Sequence, residues 1–254
     1  MTLVEQRRAI SHLLDPTSPA DASASYYALH LEANKTQLFT YPPAASRAGG
    51  YMCLSRTGLD LFRPLLTMRF PESGDTSGFD LAAAGEMITT TIPEGSDVII
   101  KAPTPYAPLL SAFFENEVEQ RLKLLVLDRG RFQPVINVFV TRSEAHDGLP
   151  RFVIRQNSQG QTGLGGDVAA SAGINWQTPT FAEVYVHTAT QHRRKGFGQS
   201  VLAACVQHVL DSGRRPLYVV ESDNSSSIQL AENTGFVNLG PDLLWLEGRR
   251  RSHP

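Results

Sequence analysis

The first 130 residues switch several times between helix-like and strand-like patterns of hydrophobic and polar positions. Apolar residues recur at helical spacing after Thr2, and Glu5 follows three residues later, which is the spacing of a capping box. Short apolar runs bounded by Pro and Gly predict strands. The predicted helices cover 2–14, 20–31, 80–90 and 106–114, and the predicted strands cover 37–41, 51–54, 98–100 and 122–127. The β-α-β order of 98–127 predicts an α/β domain.

Beyond residue 130 the chain becomes rich in strand-like apolar runs, which predicts a strand-rich half. Its predicted strands cover 135–140, 152–154, 168–174, 181–188 and 217–221, with helices at 196–210 and 225–233 and two short strands before residue 247. The polar stretch Asp128-Arg129-Gly130-Arg131 is the candidate boundary. We therefore predict an α/β fold with an N-terminal domain at 1–130 and a second domain, a mixed sheet flanked by helices, at 131–254.

Composition narrows the classes of function. The net charge of −2 argues against nucleic acid as the main partner, and no apolar run reaches the ~18 residues that span a bilayer. The N-terminus lacks the pattern of a signal peptide, and the two cysteines, Cys53 and Cys205, suggest neither a disulfide framework nor a metal site. These features predict a cytoplasmic protein without a bound metal. Residues 1–130 carry a formal charge of −4 and residues 131–254 a charge of +2.

The most informative segment is a strand, a basic glycine loop and an apolar helix. Arg193, Arg194 and Lys195 precede Gly196 and Gly198, and the helix begins at once. The start of such a helix presents unpaired N–H groups and a partial positive charge, and glycines let the backbone approach an anion closely. The pattern predicts a phosphate or pyrophosphate site. It is neither a P-loop nor a Rossmann fingerprint.

Arg193-Arg194-Lys195-Gly196-Phe197-Gly198 resembles the Gln/Arg-x-x-Gly-x-Gly/Ala signature of the GNAT superfamily of N-acetyltransferases. The context is similar too, because Asn224 opens a later helix that ends at Gly235-Phe236 after a strand. The resemblance covers about residues 165–248. It implies an acyl-CoA, such as acetyl-CoA, as co-substrate, with no metal. The N-terminal half matches no motif, and we expect either a lid or wall for the acceptor, or a degenerate GNAT-like lobe.

The resemblance also assigns residues to the co-substrate. It implies that backbone N–H groups from Arg194 to Ser200 hold the pyrophosphate and that a strand edge pairs with the pantetheine arm. The implied CoA-binding residues are Val186, Thr188, Arg193, Arg194, Lys195, Gly196, Phe197, Gly198, Gln199, Ser200 and Asn224. The acceptor is expected to be an amine of a small molecule or peptide, and the sequence leaves a homodimer open.

N-acylation by direct attack needs a group that accepts a proton from the amine. Glu183 resembles the strand base of the histone-acetyltransferase branch, although its spacing to Arg193 is about one residue shorter, and Glu221 is the second candidate. The family's usual acid, a Tyr in the second helix, is Ala231 here. Tyr185, Tyr218 and His187 are the candidate replacements, and unassisted departure of the thiolate is the alternative.

Two other functions remain open at this point. The domain could bind an acyl-CoA as a sensor or regulatory module without turnover, which Ala231 in the tyrosine position favours. It could also bind a nucleotide or phosphate through the basic loop alone. Binding of ADP as tightly as CoA would support the second alternative.

Overall fold

The computed structural model describes residues 1–74, 78–145, 148–157, 159–163, 165–238 and 240–252. The chain divides into two compact units, which we call unit 1 (1–122 and 241–254) and unit 2 (123–240). The helices are α1 Leu3–Ile10, α2 Pro19–Ser25, α3 Leu81–Thr91, α4 Ala107–Phe113, α5 Phe197–Asp211 and α6 Ser225–Thr234. The strands are β1 Thr36–Tyr41, β2 Gly50–Ser55, β3 Leu65–Arg69, β4 Asp97–Pro103, β5 Phe114–Leu127, β6 Thr141–Glu144, β7 Pro150–Gln156, β8 Thr162–Gly163, β9 Asp167–Gln177, β10 Phe181–Thr188, β11 Arg215–Glu221, β12 Phe236–Asn238 and β13 Leu243–Arg250.

Unit 1 is a mixed sheet with strand order β1-β2-β3-β4-β13 followed by the first part of β5. β3 and β4 are parallel, and the other neighbouring pairs are antiparallel. One face packs Leu66, Met68 and Ile100 against α3 residues such as Ile88, and the other face packs Tyr51 and Cys53 against α1. The predicted capping box of α1 is confirmed, since the Glu5 N–H donates to Thr2 Oγ1 at 3.3 Å.

The strands of unit 2 are also mixed in direction, and the last part of β5 is followed by β11, β10, β9, β7 and β6. β10 and β11 are parallel, whereas β9 is antiparallel to both β7 and β10. The core lies between this sheet and helices α5 and α6, and it buries the apolar stripe of α5, including Val201, Cys205 and Val209. The predicted helix and its flanking strands are therefore present.

The two units share one order of elements. Each has a three-strand antiparallel ladder, a helix, a strand parallel to the third, a second helix and a further strand. In unit 1 these elements are β1-β2-β3-α3-β4-α4-β5, and in unit 2 they are β7-β9-β10-α5-β11-α6-β12. The sequence pattern predicted an α/β fold with a mixed sheet flanked by helices, and the structure confirms it.

Several details differ from the sequence prediction. The strands β3, β6 and β8 were not predicted. Residues 135–140 are not a strand, because the Asn137 side chain accepts the Phe139 N–H at 3.0 Å and forms a local turn. β5 starts at Phe114 and not at the predicted residue 122, so Glu115, Glu117 and Glu119 lie on the exposed face of a strand. Residues 241–254 belong to unit 1 and not to the second domain, because β13 pairs with β4 and with the first part of β5.

None of the helices in the described residues is long and apolar enough to span a bilayer. Cys53 and Cys205 are both buried free thiols. Among the described ranges no group of three or more His, Cys, Asp or Glu side chains is arranged to hold a metal ion.

Candidate functional site

Helix α5 begins without a side-chain cap. Its N-cap is Gly196, whose φ of 76° lies in the left-handed region that glycine adopts without strain. At this end the Ser200 N–H donates to the Gly196 carbonyl at 3.1 Å, which is the first intrahelical bond. The N–H groups of the preceding residues in the first turn therefore have no helical acceptor, and the helix dipole adds partial positive charge there. This end of α5 can accept an anion.

The basic loop before α5 surrounds this helix end with exposed cations. Arg194 has a φ of 61°, which turns the chain sharply into the helix. Arg193 Nε donates to the Thr188 carbonyl at 3.5 Å, and Lys195 Nζ lies 3.5 Å from Gln156 Oε1. All three side chains are exposed, so they can meet a ligand from solvent.

Gly198 allows α5 to lie directly against β10. A Cβ atom at Gly198 would stand 2.8 Å from Thr188 Oγ1 and 3.5 Å from Leu230 Cδ2 of α6. It would also stand 4.0 Å from Val186 Cγ2. The glycine thus brings the helix start, the end of β10 and α6 together, and a larger residue would separate them.

β10 and β11 separate soon after they begin. Their pairing covers only Phe181, Ala182 and Glu183 of β10, opposite Arg215, Pro216 and Leu217. On its other edge β10 pairs with β9 as far as Thr188. From Val184 to Thr188 the edge toward β11 therefore has no strand partner among the described residues. This unpaired edge leads from Glu183 to the start of α5.

A β-bulge stands where the two strands separate. Asn175 is the extra residue of β9 between the partners of Glu183 and Val184. Its Nδ2 donates to Glu183 Oε1 at 2.8 Å, and Glu183 is only 8% exposed. The bulge therefore directs the Asn175 amide to the carboxylate of Glu183. Sequence reasoning missed Asn175, and the only signal was one Asn in a run of small and apolar residues.

Glu221 lies on the same face of the sheet as Glu183 but far along it. Glu183 and Leu217 are register partners, and Glu221 is four residues beyond Leu217, which keeps it on the same face. At about 3.3 Å per residue the two positions are about 13 Å apart along the strand direction. Glu221 is exposed at the end of β11, whereas Glu183 is buried at the point of separation.

The three candidate acids occupy different environments. Tyr218 is 4% exposed, its Oη lies 2.7 Å from Ser227 Oγ of α6, and burial raises the pKa of its phenol. The Tyr185 side chain packs against Gly173, and a Cβ atom at Gly173 would stand 2.7 Å from Tyr185 Oη. His187 is exposed. Tyr218 thus contacts α6, the helix that contains Ala231.

The remaining predicted residues lie at the starts of the two helices. Asn224 caps α6, since its Oδ1 accepts the Ser227 N–H at 3.1 Å. Ser200 is 6% exposed, and its Oγ accepts Asn137 Nδ2 at 3.1 Å. Phe197 and Gln199 are half-buried in the first turn of α5. The structure thus brings Val186, Thr188 and the loop 193–200 together and places Asn224 at the start of the neighbouring helix.

Comparisons with known proteins concern the fold of the chain. Residues 169–245 match the family model described as FR47-like protein. A tandem GNAT protein from the clavulanic acid biosynthesis pathway is 13% identical with a TM-score of 0.61, covering 100% of this chain and 95% of that one. A Drosophila protein is 11% identical with a TM-score of 0.65, covering 97% and 89%.

A GCN5-related N-acetyltransferase-like protein from Streptococcus suis is 15% identical with a TM-score of 0.57, covering 97% of this chain and 100% of that one. No curated protein sequence gives a significant match. At these identities the similarity concerns the fold. The chain has the fold of the GNAT superfamily, and its FR47-like segment lies in the C-terminal half, as the sequence resemblance predicted.

Proposed function

We propose that this chain is an acyl-CoA-dependent N-acyltransferase that transfers an acetyl or other acyl group to an amine. One observation carries the proposal: the uncapped start of α5 lies against β10 on the stretch where β10 has left β11. A site for a diphosphate and an open strand edge are therefore adjacent. An extended thioester with a diphosphate at one end has the shape that this arrangement accepts.

The loop and the strand edge take separate parts of the co-substrate. The N–H groups from Arg194 to Gln199 bind the pyrophosphate, with Arg193 and Lys195 adding positive charge. The Ser200 N–H is not among them, because it donates to the Gly196 carbonyl. The backbone of Val186 and Thr188 on the unpaired edge of β10 pairs with the amides of the pantetheine arm. Asn224 lines the co-substrate side of α6 while it caps that helix.

The proposed chemistry uses Glu183 and Asn175, which lie where β10 and β11 separate. The amine nitrogen attacks the thioester carbonyl carbon, a C–N bond forms and the C–S bond breaks. Glu183 accepts the amine proton, directly or through water, with its carboxylate oriented by Asn175. Glu221 is the weaker candidate because it is exposed and about 13 Å further along the sheet.

The departing thiolate takes its proton from Tyr218. Burial raises the pKa of this phenol, so it stays protonated at neutral pH and can donate. Its hydroxyl lies at Ser227, one helical turn before Ala231 on α6. Ala231 itself is fully buried and offers no proton. A phenol from the strand therefore replaces the usual phenol from the helix.

The alternative is an acyl-CoA sensor that uses the same site without turnover, which Ala231 favours. Calorimetry with acetyl-CoA, followed by free-thiol release with a panel of small-molecule and peptide amines, tests both functions. We expect binding and amine-dependent thiol release. Binding without release on any amine would support the sensor, and no binding would contradict both.

The location of the site is tested with Gly196→Asp and its isosteric control Gly196→Asn. Asp and Asn both tolerate positive φ, so the pair differs mainly in charge. The carboxylate would occupy the helix start and repel the diphosphate, so Gly196→Asp should weaken acetyl-CoA binding about 100-fold or more relative to Gly196→Asn. Equal affinity of the two variants would show that the pyrophosphate binds elsewhere.

A further inference from the structure

An apolar loop precedes β6 in unit 2. In this loop, residues 133–140, Ile136 is 92% exposed and Val138 is 84% exposed, and Val135 and Phe139 beside them are exposed as well. The loop contains no charged residue. Single exposed apolar side chains are ordinary, but a cluster of them marks a surface that binds something. The 133–140 loop is therefore a candidate contact surface for an uncharged group.

Asn137 gives the 133–140 loop a fixed shape and connects it to helix α5. Its Oδ1 accepts the Phe139 N–H at 3.0 Å, and its carbonyl oxygen accepts the Val140 N–H at 3.0 Å. Its Nδ2 donates to Ser200 Oγ at 3.1 Å. Hydrogen bonds of this kind between an Asn side chain and the nearby backbone stabilise a turn. The two apolar residues that flank Asn137 therefore protrude from a turn that is held against α5.

The 133–140 loop lies across the outer face of the first turn of α5. Gln207 and Asp211 follow Ser200 by about two and three helical turns, which places all three residues on one face of the helix. Asp211 is exposed and Gln207 is half-buried, whereas Ser200 is buried. The contact with Asn137 accounts for this difference. The loop thus stands at the helix end with the unpaired N–H groups, about 6 Å along the axis from Gly196.

The loop and strand β10 lie on opposite sides of the start of α5. Gly198 faces β10, because a Cβ atom there would stand 2.8 Å from Thr188 Oγ1. Ser200 is two residues further, which is about 200° around the helix, and it therefore faces away from β10. In the proposed acyl transfer, the pantetheine arm leaves the diphosphate along β10. The adenosine is attached to the other phosphate, so it leaves the helix start on the side of the loop.

We propose that the 133–140 loop binds the adenosine of the acyl-CoA, with the adenine ring packed on Ile136 and Val138. The inference rests on the proposed function, because it needs the diphosphate at the start of α5. Adenine is uncharged at neutral pH and has two flat faces that pack on apolar side chains, which suits a loop without charges. Asn137 is a positioning residue, which orients the loop through Ser200 and does not touch the ligand.

Calorimetry on the full chain with acetyl-CoA and with S-acetyl-4′-phosphopantetheine, which lacks the adenosine, tests the proposal. The unchanged protein should bind acetyl-CoA more tightly. The double variant Ile136→Ser with Val138→Ser should weaken acetyl-CoA binding about tenfold and leave binding of the truncated ligand unchanged, because only the adenine loses its apolar contacts. Asn137→Ala, which frees the loop from α5, should lower the ratio of the two affinities in the same direction.

Leu59→Ser with Leu61→Ser is the matched control. These residues belong to unit 1 and are 65% and 90% exposed, so the change in surface is similar. This variant should keep both affinities, and thermal unfolding by circular dichroism verifies that all variants fold. Loop variants with full acetyl-CoA affinity, or with equal losses for both ligands, would overturn the adenosine site alone. An unchanged protein that binds neither ligand would overturn the proposed function and this inference with it.

Discussion

In the proposed mechanism, Tyr218 supplies a proton from a strand, whereas the family's usual Tyr lies on a helix. Its side chain starts on a strand and ends at a helix, where its Oη lies 2.7 Å from Ser227 Oγ. The phenol is buried in the core of unit 2, next to Phe236 at a ring distance of 5.7 Å. Burial raises its pKa, which keeps the proton available to a departing thiolate.

Tyr218→Phe removes the hydroxyl and keeps the ring. If the phenol donates the proton, kcat should fall about 100-fold while the affinity for acetyl-CoA changes little. Because the raised pKa lies above the usual tyrosine value, deprotonation of the phenol should reduce kcat only above about pH 10. Steady-state kinetics across pH, with calorimetry for affinity, measure both effects.

Ser227→Ala is the control for this experiment, since it removes the hydroxyl partner and leaves the phenol. Its kcat should stay within about threefold of the unchanged protein. This corresponds to a change in activation free energy of less than about 1.4 kcal/mol. A Tyr218→Phe variant with full kcat would mean that the thiolate departs without help.

At the same scale, the sequence identifies charges better than the contacts that orient them. The basic loop and Glu183 are visible because their residue types are unusual in their places. Asn175 is not, because its role depends on a bulge that shifts the register of β9 by one residue. Such a shift leaves no periodic signal in one strand alone. The partner of the proposed base therefore emerges only when both strands are seen together.

At the scale of elements, one close approach defines the site. Helix α5 reaches β10 at Gly198, where any Cβ atom would meet Thr188 Oγ1 at 2.8 Å. The helix start and the unpaired strand edge are held next to each other by this contact. A diphosphate at one and an extended arm along the other need this separation to stay fixed.

Gly198→Ala should therefore disturb both packing and binding. Overpacking of this kind costs about 1–3 kcal/mol, and we expect a lower unfolding temperature and acetyl-CoA affinity reduced about tenfold. Gly198→Ala combined with Thr188→Ala removes the clashing oxygen and should recover most of the affinity. Calorimetry and thermal unfolding of the single and double variants form a double-mutant cycle. Additive losses would show that the contact is not the cause.

Elements were predictable where apolar periodicity and burial agree. Helix α5 and strand β10 match the prediction closely, since their bounds, Phe197–Asp211 and Phe181–Thr188, lie within one residue of the predicted ones. Residues 135–140 were the failure, because their apolar side chains are not buried: Ile136 is 92% exposed and Val138 is 84% exposed. The segment forms a local turn at Asn137 and does not pair in a sheet.

At the scale of the whole molecule, each unit contains one buried thiol. Cys53 belongs to unit 1 and Cys205 to unit 2, and both are fully buried. Burial raises the pKa of Cys53 to about 11 and that of Cys205 to about 12. At pH 8 both are therefore protonated as well as shielded, and a protonated thiol is a poor nucleophile.

We expect neither thiol to react with iodoacetamide in the native protein at pH 8. Both should react after unfolding in guanidinium chloride, which gives the reference for complete labelling. Peptide mapping by mass spectrometry in increasing denaturant then reports the opening of unit 1 through Cys53 and of unit 2 through Cys205. Labelling of either residue without denaturant would contradict the burial described above.

β13 gives the protein an unusual order of completion during synthesis. The ribosome releases β4 and β5 early, but the strand that lies between them comes from residues 243–250. Until those residues emerge, β4 and the first part of β5 each expose an edge that can pair with other chains. The sheet of unit 1 is therefore begun early in synthesis but is complete only when β13 has been made. A nascent chain paused before residue 241 would be the form most in need of a chaperone.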